Sequence, residues 1–163
     1  MLISDEVLKE VLVKESGEKL VDIRNHKRLV IAKVDEKRSR NTYGYLIRKA
    51  VAEKLLRIAS SLPDEMRLFV IDAYRPLEVQ RKMWKYAVER HGSVEKAQKY
   101  VANPDVYTFH STGGTVDVSL LDKNGKGLDM GSPIHTNDKR VKGEGKKNRE
   151  VLIEVMEGQG FVN

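Results

Sequence analysis

The sequence predicts an α+β domain, a small antiparallel sheet packed with helices. Three observations carry this. Short β-branched runs stand early in the chain, two longer segments repeat apolar residues at helical spacing, and a later strand pattern runs into Asp122-Lys-Asn-Gly125, a hairpin turn. With 163 residues, 40% of them hydrophobic, the chain can bury one real core. A single domain spanning 1–163 is therefore expected.

The elements follow in order. Residues 20–23 (LVDI) and 29–34 (LVIAKV) are short strand candidates separated by a turn-like RNHK, and form either a hairpin or two edge strands. Residues 45–62 place Val51, Leu55, Ile58 and Leu62 on one face of a helix, which Pro63-Asp64 ends. Residues 67–71 (RLFVI) read as a buried strand leading into Asp72-Ala-Tyr-Arg-Pro76. A second helix over 77–90 carries Val79, Met83, Tyr86 and Ala87 on one side, with Pro76 suited to its first turn and Gly92 closing it. Residues 115–121 form the strand before the hairpin turn, and a last helix spans 148–157, ended by Gly158 and Gly160.

Composition narrows the chemistry. The chain has no cysteine, which excludes a disulfide framework and a thiolate zinc cage, so a metal site must be built from His, Asp and Glu. The N-terminal MLISDEVLKEVLVKE interleaves charges with apolar residues and offers neither a signal-peptide segment nor a membrane span; a cytoplasmic protein without a membrane partner is expected. The net charge of +6 comes from 30 basic and 24 acidic residues spread along the chain, which describes a solvated mixed surface rather than a nucleic-acid face. The one biased run, KRVKGEGKK at 139–147, contains glycines and reads as a mobile loop.

The chemistry concentrates in FHSTGGTVDV. His110 and Asp117 stand seven apart, and Gly113-Gly114 lets the chain turn sharply between them, so both side chains can converge on one ion, a donor pair that suits zinc. On spacing alone His110 can equally be a loop residue and Asp117 a strand-end carboxylate. Arg75 sits at a strand-to-helix junction, where it is either a functional cation or a surface partner of Asp72 or Glu78.

Taken together, IDAYRP and this stretch resemble the D-alanyl-D-alanine dipeptidases, VanX-type zinc peptidases related to the D,D-carboxypeptidases and to the hedgehog fold. That family has a YRP segment after a strand, then SxHxxGxAxD, then LDMGxP, then a helix ending in GF. Here these are Tyr74-Arg75-Pro76, Thr108 to Asp117, Leu128 to Pro133, and Gly160-Phe161, in the same order across nearly the whole chain, with LVDIR near the start. Thr108 replaces the usual Ser and keeps its hydroxyl, and Thr115 replaces the usual Ala.

The resemblance implies a Zn2+-dependent hydrolysis of a small D-amino-acid dipeptide by metal-activated water. It makes His110 and Asp117 two of three zinc ligands and Arg75 the catalytic cation for the oxyanion, with Thr108 and Asp129 as weaker substrate contacts. The family's third ligand and general base come from an ExxH strand shortly after GFVN. Asn163 is the last residue here, so neither role has a match within the 163 residues, and the domain is expected to be C-terminally incomplete. His135 is the alternative ligand, while His26 and His91 read as surface histidines. Without the strand expected beside the metal strand, an unpaired edge is expected, through which two chains can associate. Competing readings are an inactive relative that binds a peptide or partner, and a peptidoglycan carboxypeptidase or endopeptidase of the same superfamily.

Overall fold

The computed structural model describes residues 14–33, 41–106, 108–132 and 141–162. It is an α+β architecture with two small sheets. The first pairs β1 (Leu20–Asp22) antiparallel with β3 (Leu46–Arg48), and the second has the order β2 (Leu29–Ile31), β4 (Met66–Asp72), β5 (Asp117–Asp122). The helices are α1 (Lys49–Ser61), α2 (Leu77–His91), a single turn α3 (Val94–Ala97) and α4 (Gly143–Glu157), with a 3-10 turn at Phe109–Thr112. Among the described residues, no helix is long and apolar enough to cross a membrane.

Of the two readings of the early runs, the edge-strand one holds: β1 joins β3 antiparallel and β2 joins β4 in parallel. Several other expectations are corrected. The larger sheet is mixed rather than antiparallel. Residues 46–48 are strand rather than the start of a helix, because Ile47 is fully buried opposite Val21 and the pairing overrides local helical preference. The helix starts at Lys49, where the Lys19 carbonyl and the Glu18 carboxylate accept from the backbone N–H groups of Lys49 and Ala50. At its far end, Arg28 donates to the Ser60, Leu62 and Pro63 carbonyls around the helix exit. The second half of the basic run, read as a loop, is the first turn of α4: Gly145 lies against the backbone of Gly131, and Asn148 and Arg149 donate to the carbonyls of Asp129 and Met130. On α2, Tyr86 points outward and Gln80 is buried in its place.

The core lies between α1 and the three-stranded sheet. Ile47, Leu55, Ile58, Leu68, Val70 and Leu120 have no exposed surface, and the apolar side of α4 packs along the edge of this cluster. The turn after β5 forms as expected, with the Asp122 carboxylate accepting from the N–H groups of Asn124 and Lys126.

The pairing of β4 with β5 positions the site. Leu68 faces Leu120 and Val70 faces Val118, but the next pair is Asp72 with Asp117, leaving Ile71 as the extra residue of a bulge. The carboxyl end of β4 and the amino end of β5 therefore meet with both aspartates opposed.

Candidate metal centre

Each side chain is placed by a distinct local device. His110 sits in the 3-10 turn, whose exit needs a left-handed residue: Gly113 has φ +72°, and a Cβ there would stand 2.7 Å from Leu20 Cδ2. The small sheet grips this turn, since Arg48 donates from its backbone N–H to the Gly113 carbonyl and from Nε to the Thr112 carbonyl. The Arg75 N–H donates to the His110 carbonyl, tying the turn to the segment leaving β4.

His110 Nδ1 is 2.7 Å from the Ala73 carbonyl oxygen. A carbonyl only accepts, so Nδ1 carries the proton, and in the neutral ring Nε2 presents a lone pair. That lone pair faces Asp117 Oδ2 at 3.5 Å. Two donors to one tetrahedral zinc, at roughly 2.0–2.2 Å each, stand about 3.4 Å apart. The spacing and the tautomer thus fit one ion shared by His110 and Asp117. Without an ion, burial disfavours the charged imidazole, but the hydrogen bond and charge of Asp117 outweigh it and hold the His110 pKa above its usual value.

Asp72, His110 and Asp117 each bring a ligand atom within 4.8 Å of the others. The Asp72 carboxylate is nevertheless fully engaged. Its Oδ1 accepts from Asn41 Nδ2 at 2.6 Å and from the Ala73 N–H at 2.9 Å, and its Oδ2 accepts from Arg75 Nε and Nη2 at 3.1 and 2.5 Å. A carboxylate offers about four lone-pair positions, and all are taken. Asp72 serves the arginine. Gly44 makes room for it, because a Cβ there would stand 2.8 Å from Asp72 Oδ1.

Arg75 is mostly buried, its side chain 13% exposed, and Nη1 donates to Gln80 Oε1 at 2.7 Å. It shares a cleft of about 300 Å³ with His110, Asp117, Thr108 and Thr115, walled by Met83, Tyr100, Val101 and Phe109. Thr108 is at the cleft, its hydroxyl and carbonyl accepting from Ser111 Oγ. Asp129 lies elsewhere: it is exposed, is not part of the cleft lining, and accepts from the Gly131 N–H to close its own turn. His135 lies outside the described residues.

The residues missed by the sequence reading are Asn41 and Gln80, together with the full engagement of Asp72. For Gln80 there was one signal, a polar residue beside the buried stripe of Val79 and Ala87. Nothing local marked Asn41.

A neutral imidazole and a carboxylate aimed at one point, with a fixed cation beside a partly apolar cleft, are the means by which metallopeptidases polarise and cleave an amide. Comparison with known proteins narrows that class. The profile of the family described as D-ala-D-ala dipeptidase matches residues 18–163, and the chain belongs to that family. The chain is similar to the D-alanyl-D-alanine dipeptidase of Escherichia coli, 31% identical over 104 residues, covering 60% of this chain and 50% of that protein. It is also similar to the D-alanyl-D-alanine dipeptidase of Synechocystis sp., 27% identical over 160 residues, covering 72% of this chain and 65% of that protein. The chain thus spans between half and two thirds of the length of these curated relatives.

Proposed function

We propose that this protein takes part in the zinc-dependent hydrolysis of D-alanyl-D-alanine, with His110 and Asp117 as metal ligands and Arg75 as the catalytic cation. The observation that carries this is the Ala73 carbonyl on His110 Nδ1, which fixes the tautomer and aims Nε2 at the point Asp117 shares. Bound there, zinc would supply Lewis acidity and an activated water.

The chain's own residues do the rest. Arg75 has five N–H donors and spends three on Asp72 and Gln80, which leaves one on each terminal nitrogen for oxygens of the substrate. Its permanent charge, on a side chain itself mostly buried, stabilises the negative charge that grows on the amide oxygen during attack. The walls of Met83, Tyr100, Val101 and Phe109 exclude water from one side and suit the methyl groups of a small dipeptide. The third ligand and the general base are assigned to none of the described residues: Asp72 is engaged by Arg75 and Asn41, and no other described histidine, aspartate or glutamate joins the cluster. A cytoplasmic location and a small peptide substrate are part of this reading.

The test is zinc stoichiometry and affinity, followed in the same preparation by release of D-alanine from D-Ala-D-Ala, with His110→Ala as control. One zinc per chain, lost in the variant, with turnover, supports the reading. Zinc binding without turnover of the dipeptide or of a longer D-alanine-terminated peptide favours a non-catalytic binder, and no zinc binding at all rejects the metal assignment.

A further inference from the structure

Gln80 is 3% exposed and lies in the first turn of α2, on the side that packs inward with Val79 and Ala87. A buried amide must be bonded at both ends, and this one is. Oε1 accepts from Arg75 Nη1 at 2.7 Å, and Nε2 donates to the Ala102 carbonyl at 2.7 Å. The orientation has no alternative, since a guanidinium nitrogen only donates and a carbonyl only accepts; turning the amide over would create two mismatches at once.

From this geometry we propose that Gln80 is a positioning residue for Arg75. Asp72 holds the guanidinium by one edge, through Nε and Nη2. A planar group gripped along one edge can still rock about that edge. The Gln80 contact at Nη1 adds a third point out of line with the first two, and three points define a plane. Its other end is anchored on Ala102, which with Tyr100 and Val101 forms the cleft wall. The plane of the arginine is therefore referenced to the wall that faces the substrate, and a shift of that wall is passed to the cation through one side chain. The inference rests on the hydrolytic reading for its effect on rate, but not for its effect on the arginine itself.

The test uses the zinc-loaded protein and the variants Gln80→Met, Gln80→Glu and Arg75→Ala. Methionine keeps the volume and removes both bonds. Glutamate keeps an acceptor for Arg75 and loses the donor to Ala102. With D-Ala-D-Ala, Gln80→Met is expected to lower kcat by about 10- to 100-fold with KM changed by less than about 3-fold, the signature of a misplaced group rather than a lost binding contact. Arg75→Ala is expected to lose about 10²- to 10³-fold. Independently of turnover, the Arg75 Nε–H resonance should exchange with water at least about 10-fold faster in Gln80→Met than in the wild type or Gln80→Glu, as expected for a loosened hydrogen-bonded group.

Wild-type kcat in Gln80→Met alongside a large loss in Arg75→Ala overturns the proposal, as does an Arg75 resonance equally protected in the wild type, Gln80→Met and Gln80→Glu. If Gln80→Met does not fold, Gln80→Glu decides: a protected Arg75 signal with reduced kcat supports the role of the Ala102 anchor, and unchanged kcat rejects it. Should Arg75→Ala leave hydrolysis unchanged, the hydrolytic reading fails, and the exchange measurement still decides whether Gln80 fixes the arginine.

Discussion

Asp72→Asn is the sharpest perturbation of the site, because it keeps the shape and removes the charge. The amide that replaces the carboxylate has one oxygen and one nitrogen to place among four donors. If its oxygen stays toward Asn41 and the Ala73 N–H, its NH₂ meets Arg75 Nε and Nη2; if it turns over, the NH₂ meets the other pair. Asn41 cannot relieve the second arrangement by turning, since its Oδ1 accepts from the Tyr43 N–H and its Nδ2 also donates to the Tyr74 carbonyl. Two bonds are lost either way. Hydrogen bonds to charged groups contribute roughly 1.5–3 kcal/mol each, so losing the two to Arg75 costs about 3–6 kcal/mol. Breaking a buried ion pair by removing one partner costs about 3–5 kcal/mol. The side chains are 13% and 10% exposed, so solvent screening removes little. The two routes agree near 3–5 kcal/mol, at least about a fifth of the roughly 5–15 kcal/mol that holds an ordinary domain together. Urea denaturation of metal-free protein measures it, and zinc titration of the variant should give an affinity within about 3-fold of wild type, since Asp72 is engaged by Arg75. A loss under about 1 kcal/mol would mean that the pair behaves as an exposed one. A drop in zinc affinity matching that of His110→Ala would place Asp72 on the ion and refute the account of its bonding.

Three further outcomes are expected. Zinc at 100 times its dissociation constant should stabilise the wild type by about 2.7 kcal/mol, a gain that a chelator removes and that Asp117→Asn largely abolishes, read as a shift in Tm. Gly113→Ala should destabilise by roughly 1–3 kcal/mol, from the positive φ and the collision with Leu20, and should weaken zinc binding because the same turn carries His110; thermal melting and zinc titration check both. Leu68→Ala, at a fully buried position opposite Leu120, should cost about 2–5 kcal/mol by denaturation and leave zinc affinity per folded molecule unchanged.

What could be read in the sequence was what is written locally. α2, β4 and the turn after β5 follow from apolar period, Pro76, Gly92 and the Asp122 carboxylate, all of which act within a few residues. His110, Asp117 and Arg75 were visible through a motif with its own spacing. The rest depends on partners far along the chain. β3 looks helical until β1 lies beside it, and the start of α4 looks like a loop until Gly145 meets Gly131 and Asn148 meets Asp129. Asn41 finds Asp72 31 residues away, and Gln80 finds Ala102 22 residues away, distances over which no periodicity carries information.

The unpaired Ile71 gives the fold a phase shifter. In an uninterrupted ladder Asp117 would oppose Ile71 and project from the other side of the sheet, away from Asp72. One extra residue resets the alternation between the hydrophobic pairs and the acidic pair. The interior of the sheet and its acidic end can therefore change by separate routes. Exchange of one apolar residue for another at the Leu68–Leu120 or Val70–Val118 pairs leaves the phase at the aspartates untouched, whereas removing a single residue at 71 would reverse the facing of Asp72, and with it the direction in which the chain delivers Arg75.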